Sequence, residues 1–228
     1  MKIGIIVAME KELKLLLPLL ENRQETVKND VTFHLGTVNG NEVIAMQCGI
    51  GKVNAAMGAL TLIDLFEPEI VINTGVAGGT GSDAGVLDVV IADRVAYHDF
   101  WCLGEEWGQV PGCPKFFTTV NLHLLDDTEN PRIKRGLIAS GDLFVSKPSE
   151  VEFIRSTYPD VKAVDMESAA IAQVCHLKGG LFYCMRVISD TPGGADNISQ
   201  YENFWEDAPR QTFDILHTLL SRISDSPR

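Results

Sequence analysis

The sequence predicts an α/β fold, a mixed and mostly parallel central sheet flanked by helices, and three observations lead to it. Short β-branched apolar runs alternate with longer segments of helical period along the chain. The 228 residues are 45% hydrophobic and 22% charged, an ordinary globular balance. Several apolar runs end directly in glycine or in acids, as strands do where an α/β sheet meets a ligand. A chain of this length buries enough surface for one sizeable core, so a single domain over residues 1–228 is expected.

Residues 2–7 form a β-branched run, and the leucine-rich segment 10–20 that follows carries acids in its first turn, so strand then helix is the reading, with Pro18 kinking or ending the helix. Runs at 31–38 and 41–48 meet at Asn39-Gly40, a dipeptide that tolerates positive φ at both positions and so predicts a hairpin. Residues 52–67 read as a helix stopped by Pro68. Residues 69–73 then form a buried strand that runs into the glycine-rich stretch 74–81, read as a tight strand-to-helix turn or as backbone free to approach a ligand. Strands near 88–97, 135–142, 161–165 and 181–189 alternate with helices near 148–157, 166–178 and 201–223. Residues 100–117, rich in Gly, Pro, Trp and Phe, read as a long functional loop.

Composition excludes several classes. The 31 Asp and Glu against 19 Lys and Arg leave a net charge of −12, which repels a phosphate backbone, so no nucleic-acid partner is expected. No apolar run approaches the ~20 residues that span a bilayer, and the first strand is too short for a signal peptide. The five cysteines are scattered without C-x-x-C spacing and the five histidines, His123 among them, are isolated. Neither a disulfide framework nor a metal site is indicated, no cofactor is expected, and a cytoplasmic location fits best.

Neither glycine cluster is a nucleotide fingerprint: 49–53 lacks the Ser or Thr that follows a Walker lysine, and 75–81 does not fit G-x-G-x-x-G. No G-x-S-x-G elbow supports acyl hydrolysis. What remains is acid. Glu10 and Glu12 open a helix, where the dipole favours carboxylates by ~0.3–1 kcal/mol, and for either alone that structural role outweighs a catalytic one. Asp165 and Glu167 read singly as cap and first-turn acids, and Asp190 as a turn cap. Together, three acid-bearing strand ends on one sheet edge concentrate repelling charge, which raises proton affinities and suits acid/base chemistry on a cation-like transition state such as glycosidic cleavage.

Six segments carry a resemblance. Ile3-Gly4-Ile5-Ile6-Val7-Ala8-Met9-Glu10-Lys11-Glu12, Gly49-Ile50-Gly51-Lys52-Val53-Asn54-Ala55-Ala56, Asn73-Thr74-Gly75-Val76-Ala77-Gly78-Gly79, Ser140-Gly141-Asp142-Leu143-Phe144, the 164–172 segment around Asp165-Met166-Glu167, and Arg186-Val187-Ile188-Ser189-Asp190 resemble the 5′-methylthioadenosine/S-adenosylhomocysteine nucleosidases, in the family's order and over nearly the whole chain. The resemblance implies a nucleoside phosphorylase-like fold, hydrolysis of the N-glycosidic bond of these two nucleosides, and commonly a homodimer whose 100–117 loops reach the neighbouring pocket.

The resemblance also implies roles. Glu12 holds and activates the attacking water, Glu167 binds the ribose hydroxyls, Asp190 protonates the adenine at N7 with Ser189 orienting it, and Arg186 helps fix the water and the ribose edge. Phe144 stacks on the purine and the Val145 main chain reads its edge. The Met166 backbone contacts the sugar, and Met9, Ile50 and Tyr201 wall the 5′-thio substituent. Val76, Ala77, Gly78 and Asp165 complete the substrate-binding set, with Val76 standing where many members carry Ser. The alternatives are a nucleosidase for another purine nucleoside such as futalosine, which the 100–117 loop would decide, and a phosphate-dependent phosphorylase, which the acidic 9–12 segment opposes.

Overall fold

A computed structural model describes residues 1–122, 130–207, 215, 217–220 and 222. Strand β1 (Lys2–Val7) is the inner strand of the sheet because Ile3, Ile5, Ile6 and Val7 are sealed from solvent on both faces, each isoleucine contributing roughly 1.5–3 kcal/mol of burial. It leads into α1 (Glu10–Leu16). Pro18 sits in the 3₁₀ turn Leu17–Leu19 that ends this helix. The next strand, β2 (Glu21–Lys28), was not expected: its sequence, ENRQETVK, has no apolar face and is almost wholly exposed, and it exists as an edge strand by antiparallel pairing to β3 (Val31–Val38). Asn39 and Gly40, at φ of 48° and 77°, turn β3 into β4 (Asn41–Gln47) as the dipeptide predicts.

Helix α2 (Lys52–Phe66) follows Gly49 and Gly51, both in the left-handed region. After it, β5 (Ile70–Gly79) runs ten residues, and here the expectation of a strand-to-helix turn over 75–81 fails: Gly75 to Gly79 stay in the strand because β10 (Leu181–Asp190) pairs along 70–78. The remaining elements are β6 (Val89–Tyr97), β7 (Phe117–Thr118), β8 (Ile133–Ser140), α3 (Pro148–Thr157), β9 (Val161–Asp165), α4 (Ser168–Lys178) and α5 (Asn197–Asp207). The last expected helix thus begins four residues earlier than read. Most of its stretch beyond 207, and His123, lie outside the described residues.

The sheet is mixed. Its longest ladders, β5–β10 and β6–β8, run parallel, as do β1–β4 and β1–β5, while antiparallel pairing joins β2–β3–β4 and makes short contacts at β5–β9, β6–β7 and β6–β10. Alternating strands and helices alone would leave such a sheet with two free edges. Instead β5, β10, β6, β8 and β9 close into a ring, because β9 pairs with Gly78 and Gly79 on the flank of β5 that β1 has left after Asn73. Between Asn73 and Gly78 that flank of β5 is unpaired by any strand, and the cavity lies there.

Candidate active site

Seven chain segments line the cavity at this gap: the turn from β1 into α1, Ile50 before α2, the latter half of β5, residues 143–145 after β8, the end of β9 with the residues that follow it, the end of β10, and Tyr201 on α5. Glu12 is the third residue of α1, a position from which a side chain reaches back to the helix start. Its Oε2 accepts the N–H groups of Ala8 and Met9, both at 2.9 Å, and its Oε1 accepts Val76 N–H at 3.0 Å, the backbone donor that β1 leaves unpaired on β5. A Cβ on Gly75, at φ 148°, would run into this carboxylate and into Arg186, so glycine is required there by close approach. Burial pushes the Glu12 proton affinity up, against the pull of Arg186 and the three N–H groups.

Behind the wall stands Arg186, with 1% of its surface exposed. Its Nε and Nη2 bond Asp165 Oδ2 at 2.8 and 2.7 Å, and Nη2 also donates to Asn73 Oδ1 at 2.6 Å. Asn73 is itself tied to Ile6 O, which locks the guanidinium to β1. The other oxygen of Asp165 takes the Ser140 and Ser168 hydroxyls, so this acid is consumed in holding the arginine. Removing either member would leave a buried charge alone, at about 3–5 kcal/mol.

Glu167 is the N-cap residue immediately before α4, its Oε1 accepting Gly51 N–H at 2.9 Å and its Oε2 3.9 Å from Arg186 Nη2. Burial, and then the charge of Asp165, push its carboxyl up to about 7, with Arg186 and the Gly51 N–H opposing. Asp190, at the end of β10, has its Oδ1 bonded by Ser189 Oγ at 2.5 Å and its Oδ2 by Asn197 Nδ2. Burial also raises its proton affinity, against those two donors. The opposite side is apolar: Met9, Ile50, Phe144, Val145 and Tyr201, with the Tyr201 hydroxyl donating to Met9 Sδ at 3.3 Å and its ring set edge-on to Phe144 at 5.4 Å.

Of the residues singled out from the sequence, Glu12, Glu167, Asp190, Met9, Ile50, Val76, Ala77, Gly78, Phe144, Val145, Asp165, Met166, Ser189 and Tyr201 all line this cavity. Arg186 does not; it acts from behind the wall, through its contacts with Asp165 and Glu167 and through its charge on Glu12. Sequence reasoning missed Ala8, Leu143, Val164 and Pro192 in the wall, and Asn73 and Asn197 behind it. Asn73 carried a usable signal, a lone amide closing a run of buried β-branched residues; Asn197 carried none. Among the described residues no cluster of three His, Cys, Asp or Glu side chains is placed to hold a metal ion, and no helix is long and apolar enough to cross a membrane.

The sequence profile of the phosphorylase superfamily matches residues 2–221. The 5′-methylthioadenosine/S-adenosylhomocysteine nucleosidase of Geobacillus sp. (strain WCH70) is 42% identical over 231 residues, covering 98% of this chain and 99% of its own. The chain belongs to the methylthioadenosine/adenosylhomocysteine nucleosidase family. Solved structures of the family superpose closely. The nucleosidase from S. pneumoniae, bound to the transition-state inhibitor MT-ImmA, gives a TM-score of 0.91 at 38% identity, over 97% of this chain and 99% of that one. The nucleosidase from Streptococcus pyogenes, in complex with 5-methylthiotubericidin, gives 0.92 at 37% identity, over 100% and 98%.

Proposed function

We propose that this chain hydrolyses the N-glycosidic bond of 5′-methylthioadenosine and S-adenosylhomocysteine, releasing adenine and the 5-thioribose product. One observation carries the choice of water over phosphate. Backbone N–H groups at the start of a helix form a ready anion site, and here those of Ala8 and Met9, with Val76, are already taken by the Glu12 carboxylate. A phosphate would have to displace an internal anion, whereas a water needs only a base.

In this reading Asp190, whose hold on a proton is strengthened by burial, gives its proton to adenine N7 as the C–N bond breaks, and the electron pair leaves with the base. The sugar becomes oxocarbenium-like. Glu167 grips its hydroxyls and stabilises the positive charge, with Arg186 holding Asp165 and Glu167 in place. Water attacks from the far face and passes a proton to Glu12, the two-carboxylate arrangement of an inverting glycosidase. Phe144 stacks on the purine, while Met9, Ile50 and Tyr201 enclose the thio substituent.

The same reading takes residues 1–228 as one domain working in the cytoplasm as a homodimer. The dimer is supported by an apolar stripe from Ile50 along α2 to Val53, Met57 and Leu60, and by Trp101 and Leu103 on the long loop, all exposed in the single chain. Incubation with methylthioadenosine and adenosylhomocysteine, with and without phosphate, tests the activity. Adenine release should be indifferent to phosphate, and strict phosphate dependence with formation of a ribose 1-phosphate would overturn it.

A further inference from the structure

Asn197, the first residue of α5, is buried beside Asp190 and outside the cavity wall. Its Nδ2–H donates to Asp190 Oδ2, while its own Oδ1, also buried, has no hydrogen-bond partner among the described residues. A buried amide with one half unused is uncommon, since such groups are ordinarily paired. Beside a carboxyl that gains and loses a proton, both halves have a use: Nδ2–H donates to the ionised form, and the amide turned over offers Oδ1 to the O–H of the protonated form. Ser189 has matching freedom. Its Oγ carries one hydrogen within reach of two acceptors, Asp190 Oδ1 at 2.5 Å and Ala77 O at 3.3 Å, so it can donate to the carboxylate or accept from the acid while donating to Ala77.

The same contact fastens a helix. Gln200, on the next turn of α5, accepts Thr191 N–H at 2.8 Å, so two side chains of α5 grip the strand end that carries the acid. One residue further, Tyr201 closes the pocket against Met9 and Phe144. We propose that Asn197 is a positioning residue for the general acid, holding the Asp190 carboxyl in both its protonation states and tying its readiness to the docking of α5 over the pocket. The proposal rests on the reading of Asp190 as proton donor. The other titratable and charged groups around the cavity are Tyr201 on α5, Glu12 on α1, Asp165 at the end of β9, Glu167 before α4 and Arg186 on β10. None of these donates a hydrogen bond to Asp190 among the described residues, so the side-chain donors it has are Ser189 and Asn197.

The test is the pH profile of kcat and kcat/KM for methylthioadenosine in Asn197→Leu and Asn197→Asp, with Asp190→Asn alongside. Losing Nδ2–H withdraws support from the ionised acid, so in Asn197→Leu the alkaline limb should move to higher pH by about half to one unit, with plateau kcat down roughly tenfold and KM less affected. In Asn197→Asp two carboxyls share a proton, and the limb should move further in the same direction. A limb at its wild-type position in whichever of the two variants folds would overturn the proposal, whatever the thermal midpoint does, because a purely structural contact leaves the profile alone. Full activity in Asp190→Asn is a separate result: it would remove the acid assignment itself.

Discussion

At the level of single residues, Glu12 is the most informative. Its place at the third position of a helix is what a simple helix-dipole role also requires, but the structure gives it three backbone donors and an internal position. An amide cannot serve all three, because its NH₂ would face an N–H group, so Glu12→Gln should cost about 1–3 kcal/mol of stability as well as turnover. Thermal midpoint and single-turnover rate on one preparation check this, and a lower midpoint with an unchanged rate would leave Glu12 a structural anchor only. Glu167 makes a pH prediction. Its folded value of about 7 lies above the 4.5 of an ordinary glutamate, so the native state holds a proton that the unfolded chain has released between these limits, and stability should fall as pH rises through that window. Glu167→Gln, a fixed mimic of the protonated form, should lose less between pH 5 and pH 7.5, as read from thermal midpoints. Parallel curves would show that Glu167 is already ionised at pH 5.

At the level of elements, the sequence was most legible where pattern and packing agree. Residues 2–7, 41–47 and 161–165 are strands because β-branched residues fill a buried interior, and Asn39-Gly40 turns because its φ angles are open to it. Two elements were not legible. β2 has no apolar alternation and owes its form to cross-strand bonding alone, while the glycines of β5 suggest a turn until β10 is seen beside them. Those glycines answer to neighbours distant in sequence: Glu12 crowds Gly75, and Pro192 crowds Gly78. Gly75→Ala should therefore displace the Glu12 carboxylate, lowering kcat by tenfold or more and stability by about 1–3 kcal/mol. A variant with wild-type kcat would show that the strand can move aside. The acids were visible in the sequence as a set of strand ends; Arg186 was placed by resemblance, and its retreat behind Asp165 followed from a buried ion pair that no local pattern encodes.

At the level of the whole molecule, the α/β class was legible from alternation, but the ring was not, since it depends on β9 meeting β5 and on β10 meeting β6 across long stretches of chain. The α2 stripe makes a prediction at this scale. Val53→Glu with Met57→Glu places charges where a partner chain would bury apolar surface, and light scattering should then find a monomer with reduced turnover, because Ile50 belongs both to the stripe and to the pocket. An unchanged dimer, or a monomer with full activity, would exclude the shared pocket.

The closed ring also bears on how the molecule comes apart. A hoop of five strands has no edge strand from which to fray, so the amide hydrogens bonded in the β5–β10 ladder should exchange with solvent only through global opening, whereas those of β2, paired on one side, exchange through local excursions. The backbone that shapes the cavity sits in the slow class. Heating should then remove catalytic power and tertiary structure in one transition, with no range of temperature in which a folded chain has lost its site.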